Sequence, residues 1–142
     1  MTTAPVRVLL SKSFIDSHDR AIKTVATALR DASMEVVLID YETPEDVVVA
    51  ALDEDVDVVG LSFMSGGQVD VTATVLDALR TRGAGDVPVV VGGTIRPFDV
   101  PALEKAGVAA VFRGGEKLSA MAETFDRLGR RRREEVARHG TR

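Results

Sequence analysis

Five short apolar runs dominated by Val, with a helix-like segment between each pair, constrain this chain more than any other feature of it. They are Val6 to Leu10, Glu35 to Ile39, Val56 to Leu61, Val87 to Val91 and Ala109 to Phe112, each bounded by polar or glycine residues. Short Val-rich runs of this kind are strands covered on both faces. Between the first two, Ile22, Val25, Ala26 and Leu29 recur at helical spacing and predict a helix from about His18 to Ala32 with one apolar stripe. Thr43 before Pro44, with Asp46 three residues on from the cap, predicts a second helix running to about Asp53. Val69 to Arg82 predicts a third, closed by Gly83 and Gly85; Pro101 to Lys105 and Lys117 to about Arg132 predict two more.

Strict alternation with crossovers of helical length predicts an α/β, flavodoxin-like doubly wound parallel sheet of five strands in the order 2-1-3-4-5. At 142 residues this is one domain. With 45% hydrophobic but only 4% aromatic residues, its core must be aliphatic. The absence of cysteine removes disulfides, thiolate nucleophiles and cysteine-ligated zinc. The apolar runs are strand-sized and Met-Thr-Thr-Ala-Pro has no basic and apolar leader pattern, so a cytoplasmic protein with no membrane partner is expected.

The net charge of −4 is uneven. Residues 127–142 carry seven Arg against Glu134 and Glu135, a surplus of +5, which leaves −9 on the rest. The folded domain is therefore expected over residues 1–128, with 129–142 a basic helix end or tail. No nucleic-acid partner is expected.

In a doubly wound sheet ligands bind beyond the carboxyl ends of the strands, near the switch point between strands one and three. The loops there are SKSFIDSHDRA, LSFMSGGQ, VGGTIRP and FRGGE, and all four have ligand-loop character. Glycine pairs at 66 and 67, 92 and 93, and 114 and 115 let a ligand approach the backbone. No GxGxxG follows the first strand and no GxxxxGK[ST] occurs, so dinucleotide and triphosphate binding have no motif support. A Ser-His-Asp hydrolase built on Ser62 or Ser65 with His18 would lack a nucleophile elbow. A phospho-acceptor receiver needs acidic residues ending strand one, where this chain has Ser11, Lys12 and Ser13, and Asp57 begins a strand rather than ending one. Asp16 and His18 leave two readings open: a helix-capping pair, or an imidazole that ligates a metal arriving with its own ligands while a carboxylate holds the far ring nitrogen.

Together KSFIDSHDRA, SFM and VGG resemble the cobalamin-binding domain of adenosylcobalamin-dependent acyl-CoA mutases, the methylmalonyl-CoA and isobutyryl-CoA mutase group. That family carries Lys-x-Gly-x-Asp-x-His-x-x-Gly after the first strand, Ser-x-Leu after the third and Gly-Gly after the fourth. TPEDVVVAALDEDVDVVGLS and DVPALEKAGVAAVF are similar to family segments as well, and the likeness spans about residues 5–125. It implies that His18 is the lower axial ligand of cobalt, in place of the cofactor's dimethylbenzimidazole. Asp16 would hydrogen-bond the other nitrogen of His18 and Lys12 would steady Asp16, which makes those two the catalytic relay. The displaced nucleotide tail would run along Ser62, Met64, Gly66, Gly92, Gly93, Phe112 and Gly115. The implied chemistry is homolysis of the cobalt–carbon bond and a carbon-skeleton rearrangement, with the acyl-CoA held by a separate large barrel subunit. The chain would then be a small isomerase subunit, inactive alone.

Where the family has glycines, this chain has Phe14, Ser17 and Ala21, and Met64 stands for the Leu. Those three side chains motivate a competing expectation: a flavodoxin-like binding or regulatory module that has lost cobalamin, with Phe14 filling the groove. Corrinoid methyl carriers and sensors of the same fold place a helical domain before the sheet, whereas strand one is expected here from about residue 6.

Overall fold

A computed structural model describes residues 4–16, 19–64 and 66–139 of the chain. Five strands, β1 (Arg7–Ser13), β2 (Glu35–Tyr41), β3 (Val58–Phe63), β4 (Val89–Gly93) and β5 (Ala110–Phe112), form one sheet in the order β2-β1-β3-β4-β5. Every neighbouring pair is parallel, so the architecture is the expected flavodoxin-like one. The helices are α1 (Asp19–Asp31), α2 (Pro44–Asp53), α3 (Gln68–Thr81), α4 (Val100–Ala106) and α5 (Leu118–His139), with a short 3-10 turn at Pro97–Asp99.

Period-two alternation divides the strand residues between two helix layers. Val8, Leu10, Val58 and Val90 pack with Ile22, Ala26 and Leu29 of α1 and with Ala122 and Phe125 of α5. Leu9, Val59, Leu61, Val89 and Val91 face the other way, against α2, α3 and α4 through Val47, Val75, Leu79 and Leu103. Both faces are covered, which is why the strands read as near-continuous apolar runs.

The strand ends differ from the hydropathy pattern, each for a local reason. β1 continues past Leu10 because it lies in the centre of the sheet: Lys12 pairs with Asp40 on one side and Ser62 on the other, and the Ser11 hydroxyl donates to the Gly60 carbonyl at 3.1 Å. β4 begins two residues late because Val87 is still in a turn, its amide bonded to the Ala84 carbonyl at 3.1 Å. The start of α2 is as the Thr43-Pro44 pattern indicates. Thr43 is extended, and Asp46 Oδ2 accepts the amides of Glu42 and Thr43 at 2.9 and 3.0 Å. Those two bonds hold the Asp46 carboxyl below its ordinary value.

Helix α5 passes through residue 128 without a break and stays attached to the domain beyond it. A Cβ on Gly129 would stand 2.4 Å from a methyl of Val6, so the helix lies directly on the start of β1. Further on, Arg132 Nη1 donates to Asp57 Oδ1 at 3.1 Å and Arg133 Nη2 to Asp57 Oδ2 at 2.7 Å. Asp57 also accepts the amide of Arg7, and Arg132 reaches Asp86 at 2.8 Å. The Asp57 and Arg132 side chains are 5% and 6% exposed, so these two arginines of the basic run are structural cations. Among the described residues no helix is long and apolar enough to cross a membrane.

Candidate functional site

The same alternation that builds the core leaves an opening in it at the carboxyl ends of the strands. On the face toward α1 and α5, the inward positions after Val58 are Gly60 and Ser62, and the one after Val90 is Gly92. Two of these have no side chain and the third has a hydroxymethyl. The result is a slot of about 80 Å³ between the sheet and the helices. Ala21, Ile22 and Val25 of α1 form one wall; Met121 and Phe125 of α5, with Phe112, form the other. The Phe112 and Phe125 rings lie 6.2 Å apart in a stacked arrangement. Apolar walls over glycine backbone, with the Ser62 hydroxyl among the lining, suit a flat aromatic ring carrying a polar tail.

The three glycines at the slot serve different ends. Gly60 is needed for packing, since a Cβ there would meet Leu10 at 2.7 Å and the Phe125 ring at 3.3 Å. Gly93 has φ +110 and sits over the Phe63 carbonyl. Gly92 alone of the three has room, with a Cβ 3.6 Å from that of Phe112.

Of the residues expected along the slot, Ser62, Gly92, Gly93 and Phe112 line it. Met64 stands at its mouth, lining with Ala21, Val25 and Leu118 a wider opening of about 470 Å³. Gly66 and Gly115 are exposed turn residues with positive φ and nothing within 4 Å of a Cβ, so neither touches the slot. The FRGGE loop folds on itself: Glu116 accepts the amides of Arg113 and Gly114, both at 2.9 Å. Burial works to raise the Glu116 carboxyl, but backbone bonds at Arg113, Glu116 and Gly114 bring it below its ordinary value. Ala21 puts its methyl on the slot wall, whereas Phe14 is 55% exposed and is no part of the lining. Ser17, Ser65 and His18 lie outside the described residues.

Beside the slot, at the end of β1, Lys12 is buried with 4% of its surface exposed. Its ammonium donates to the Asp16 backbone carbonyl at 2.6 Å and lies 3.0 Å from Asp19 Oδ1 and 3.2 Å from Asp40 Oδ1. Burial favours the neutral amine, but the hydrogen bonds to Asp19 and Asp40 more than offset it and the Lys12 pKa is raised. Asp19 is lowered in turn, chiefly by Lys12. The Asp16 side chain is buried, and its amide donates to the Ser13 carbonyl at 3.0 Å, which closes the turn through Phe14 and Ile15.

Sequence reasoning missed Asp19, Asp40, Gly60 and the α5 wall. Gly60 had a signal, since glycine inside a strand marks a close approach or an opening. Asp40 had none until Lys12 and Asp40 became register partners across two strands.

Solved structures of this shape include a cobalamin-binding protein and signal receiver domains. A cobalamin-binding protein from Desulfitobacterium hafniense superposes with a TM-score of 0.72 at 18% identity, over 87% of this chain and 59% of that one. The signal receiver domain of a putative LuxO repressor from Vibrio parahaemolyticus gives 0.73 at 16% identity, over 96% and 98%. These likenesses show the fold alone. The sequence decides: residues 6–122 match the B12 binding domain family. The chain belongs to the B12-binding domain family. It is 47% identical over 112 residues to the 2-hydroxyisobutanoyl-CoA mutase small subunit of Aquincola tertiaricarbonis, covering 78% of this chain and 82% of that one. It is 40% identical over 134 residues to the pivalyl-CoA mutase small subunit of Xanthobacter autotrophicus, covering 94% and 90%. The methylmalonyl-CoA mutase of Cereibacter sphaeroides is 37% identical over 118 residues, which are 17% of that longer protein. As a B12-binding domain the chain has Asp57 at the amino end of β3, tied to Arg132 and Arg133, far from where a receiver would carry its phospho-acceptor.

Proposed function

We propose that this protein is the cobalamin-binding small subunit of an adenosylcobalamin-dependent acyl-CoA mutase, working in the cytoplasm and inactive without a large barrel subunit that holds the acyl-CoA. The slot carries the reading. Gly60, Ser62 and Gly92 open the core where a displaced nucleotide base would enter, in a chain of the B12-binding family. Two relatives of nearly the same length, at 47% and 40% identity, are small subunits of acyl-CoA mutases.

His18 would hold the cobalt from below, Asp16 would orient His18, and Lys12 would steady the loop between them. Ser62, Gly92, Gly93 and Phe112 would line the nucleotide tail. When bound, adenosylcobalamin supplies radical chemistry to the large subunit's substrate. The chain's own part is to bind and orient the cofactor and keep water from its buried tail.

The test is a titration of purified protein with hydroxocobalamin followed in the visible spectrum. Saturable binding with a histidine-ligated spectrum that disappears in His18→Ala is expected. Failure of the wild-type protein to bind would overturn the reading in favour of a flavodoxin-like module that has lost its cofactor through Phe14, Ser17 and Ala21. Addition of a large mutase subunit should be needed for any acyl-CoA rearrangement.

A further inference from the structure

We infer that Asp40, at the carboxyl end of β2, is a positioning residue for the β1–α1 loop. By holding the Lys12 ammonium it fixes the two described ends of that loop, the Asp16 carbonyl and the Asp19 carboxylate.

The argument starts from the three protons of a buried ammonium. Lys12 meets three acceptors, the Asp16 carbonyl at 2.6 Å, Asp19 at 3.0 Å and Asp40 at 3.2 Å. A buried cation needs every proton bonded. The acceptors come from three separate places: the loop, the first turn of α1, and β2. Asp16 and Asp19 flank residues 17 and 18 on either side, so they move with the segment that is to be held. Asp40 does not. It is the register partner of Lys12 in the sheet, and its own backbone is fixed by the ladder between β1 and β2. Asp40 therefore anchors the ammonium to the rigid part of the fold, and the ammonium holds both flanks of the loop. Removing Asp40 would leave Lys12 held by the Asp16 carbonyl and by Asp19 at the start of α1, the two ends it is meant to restrain.

This inference rests on the proposed function only where it concerns cobalamin, so the test has two arms. In the cobalamin-free protein, hydrogen–deuterium exchange is followed in wild-type, Asp40→Ala and Asp40→Glu. Exchange of amides 14–19 should quicken at least tenfold in Asp40→Ala, amides of Leu9 and Leu10 should stay within twofold, and Asp40→Glu should restore part of the protection. In a Lys12→Met background Asp40→Ala should add nothing. Loop exchange within twofold of wild-type, or equal quickening throughout the fold, would overturn the inference.

In the second arm, hydroxocobalamin affinity should fall three- to tenfold in Asp40→Ala, and the cob(II)alamin complex at saturating protein should show a smaller histidine-ligated fraction by electron paramagnetic resonance. A loosened loop with unchanged affinity and unchanged ligation would overturn the positioning role. If wild-type protein binds no cobalamin, the proposed function fails, and the exchange arm alone decides whether Asp40 holds the loop.

Discussion

Gly93 crosses directly over Phe63: a Cβ at Gly93 would lie 2.2 Å from the Phe63 carbonyl oxygen, which already accepts the Thr94 amide at 2.7 Å. With φ at +110 the position excludes side chains on two independent counts. Gly93→Ala should cost about 2 kcal/mol or more, read as a lower urea midpoint. Its neighbour should behave differently. Gly92→Val has room for its Cβ and directs the branch into the slot, so folding should change by no more than about 1 kcal/mol. Cobalamin affinity should then drop at least tenfold, about 1.4 kcal/mol. Wild-type affinity in Gly92→Val would show that the slot is not where the cofactor tail goes.

Asp57 is the counter-charge for two guanidinium groups at the opposite end of the sheet from the slot. Asp57→Asn keeps the shape and removes the charge, leaving Arg132 buried with Asp86 as its remaining carboxylate among the described residues. Breaking a buried pair from one side costs about 3–5 kcal/mol. That is a large share of the stability of about 5–15 kcal/mol usual for a domain. Equilibrium urea unfolding should show the loss. Truncation after residue 128 should be at least as damaging, because it removes both arginines and the Gly129 contact with Val6.

Lys12 should leave a pH signature. Its pKa in the folded protein is raised above the ordinary 10.5, so the stability it contributes is complete below that value and is lost as pH rises through the higher folded value. Lys12→Met should be less stable than wild-type by about 1–2 kcal/mol from neutral pH to about 10. The Asp19 and Asp40 carboxylates, each about half exposed, can regain water, which keeps the loss modest. Above pH 10.5 the two stability curves should converge. Curves that stay parallel through that range would show that Lys12 holds the loop by packing and not by charge.

The sheet order and the helix positions are legible in the sequence because parallel strands covered on both sides leave little doubt about which residues are inside. VRVLL and VPVVV announce themselves, and Thr43-Pro44 announces α2. Ser62 and Gly92 are legible as lining of the slot because small residues at strand exits mean open space. The Asp40 link to Lys12 and the Arg132 link to Asp57 are not legible, since each joins elements whose contact depends on the finished strand order. The loop that carries Gly115 shows what composition leaves out. FRGGE has the composition of a ligand loop, but Glu116 three residues after Arg113 uses its free amides internally.

Helix α5 supplies the Met121 and Phe125 wall of the slot, and it is fastened by residues that lie later still, at 132 and 133. During synthesis the first four strands and their helices leave the ribosome before that wall and its fastening exist. The nascent protein therefore has an open groove where the finished fold has a slot, and the groove is closed only once Arg132 and Arg133 reach Asp57.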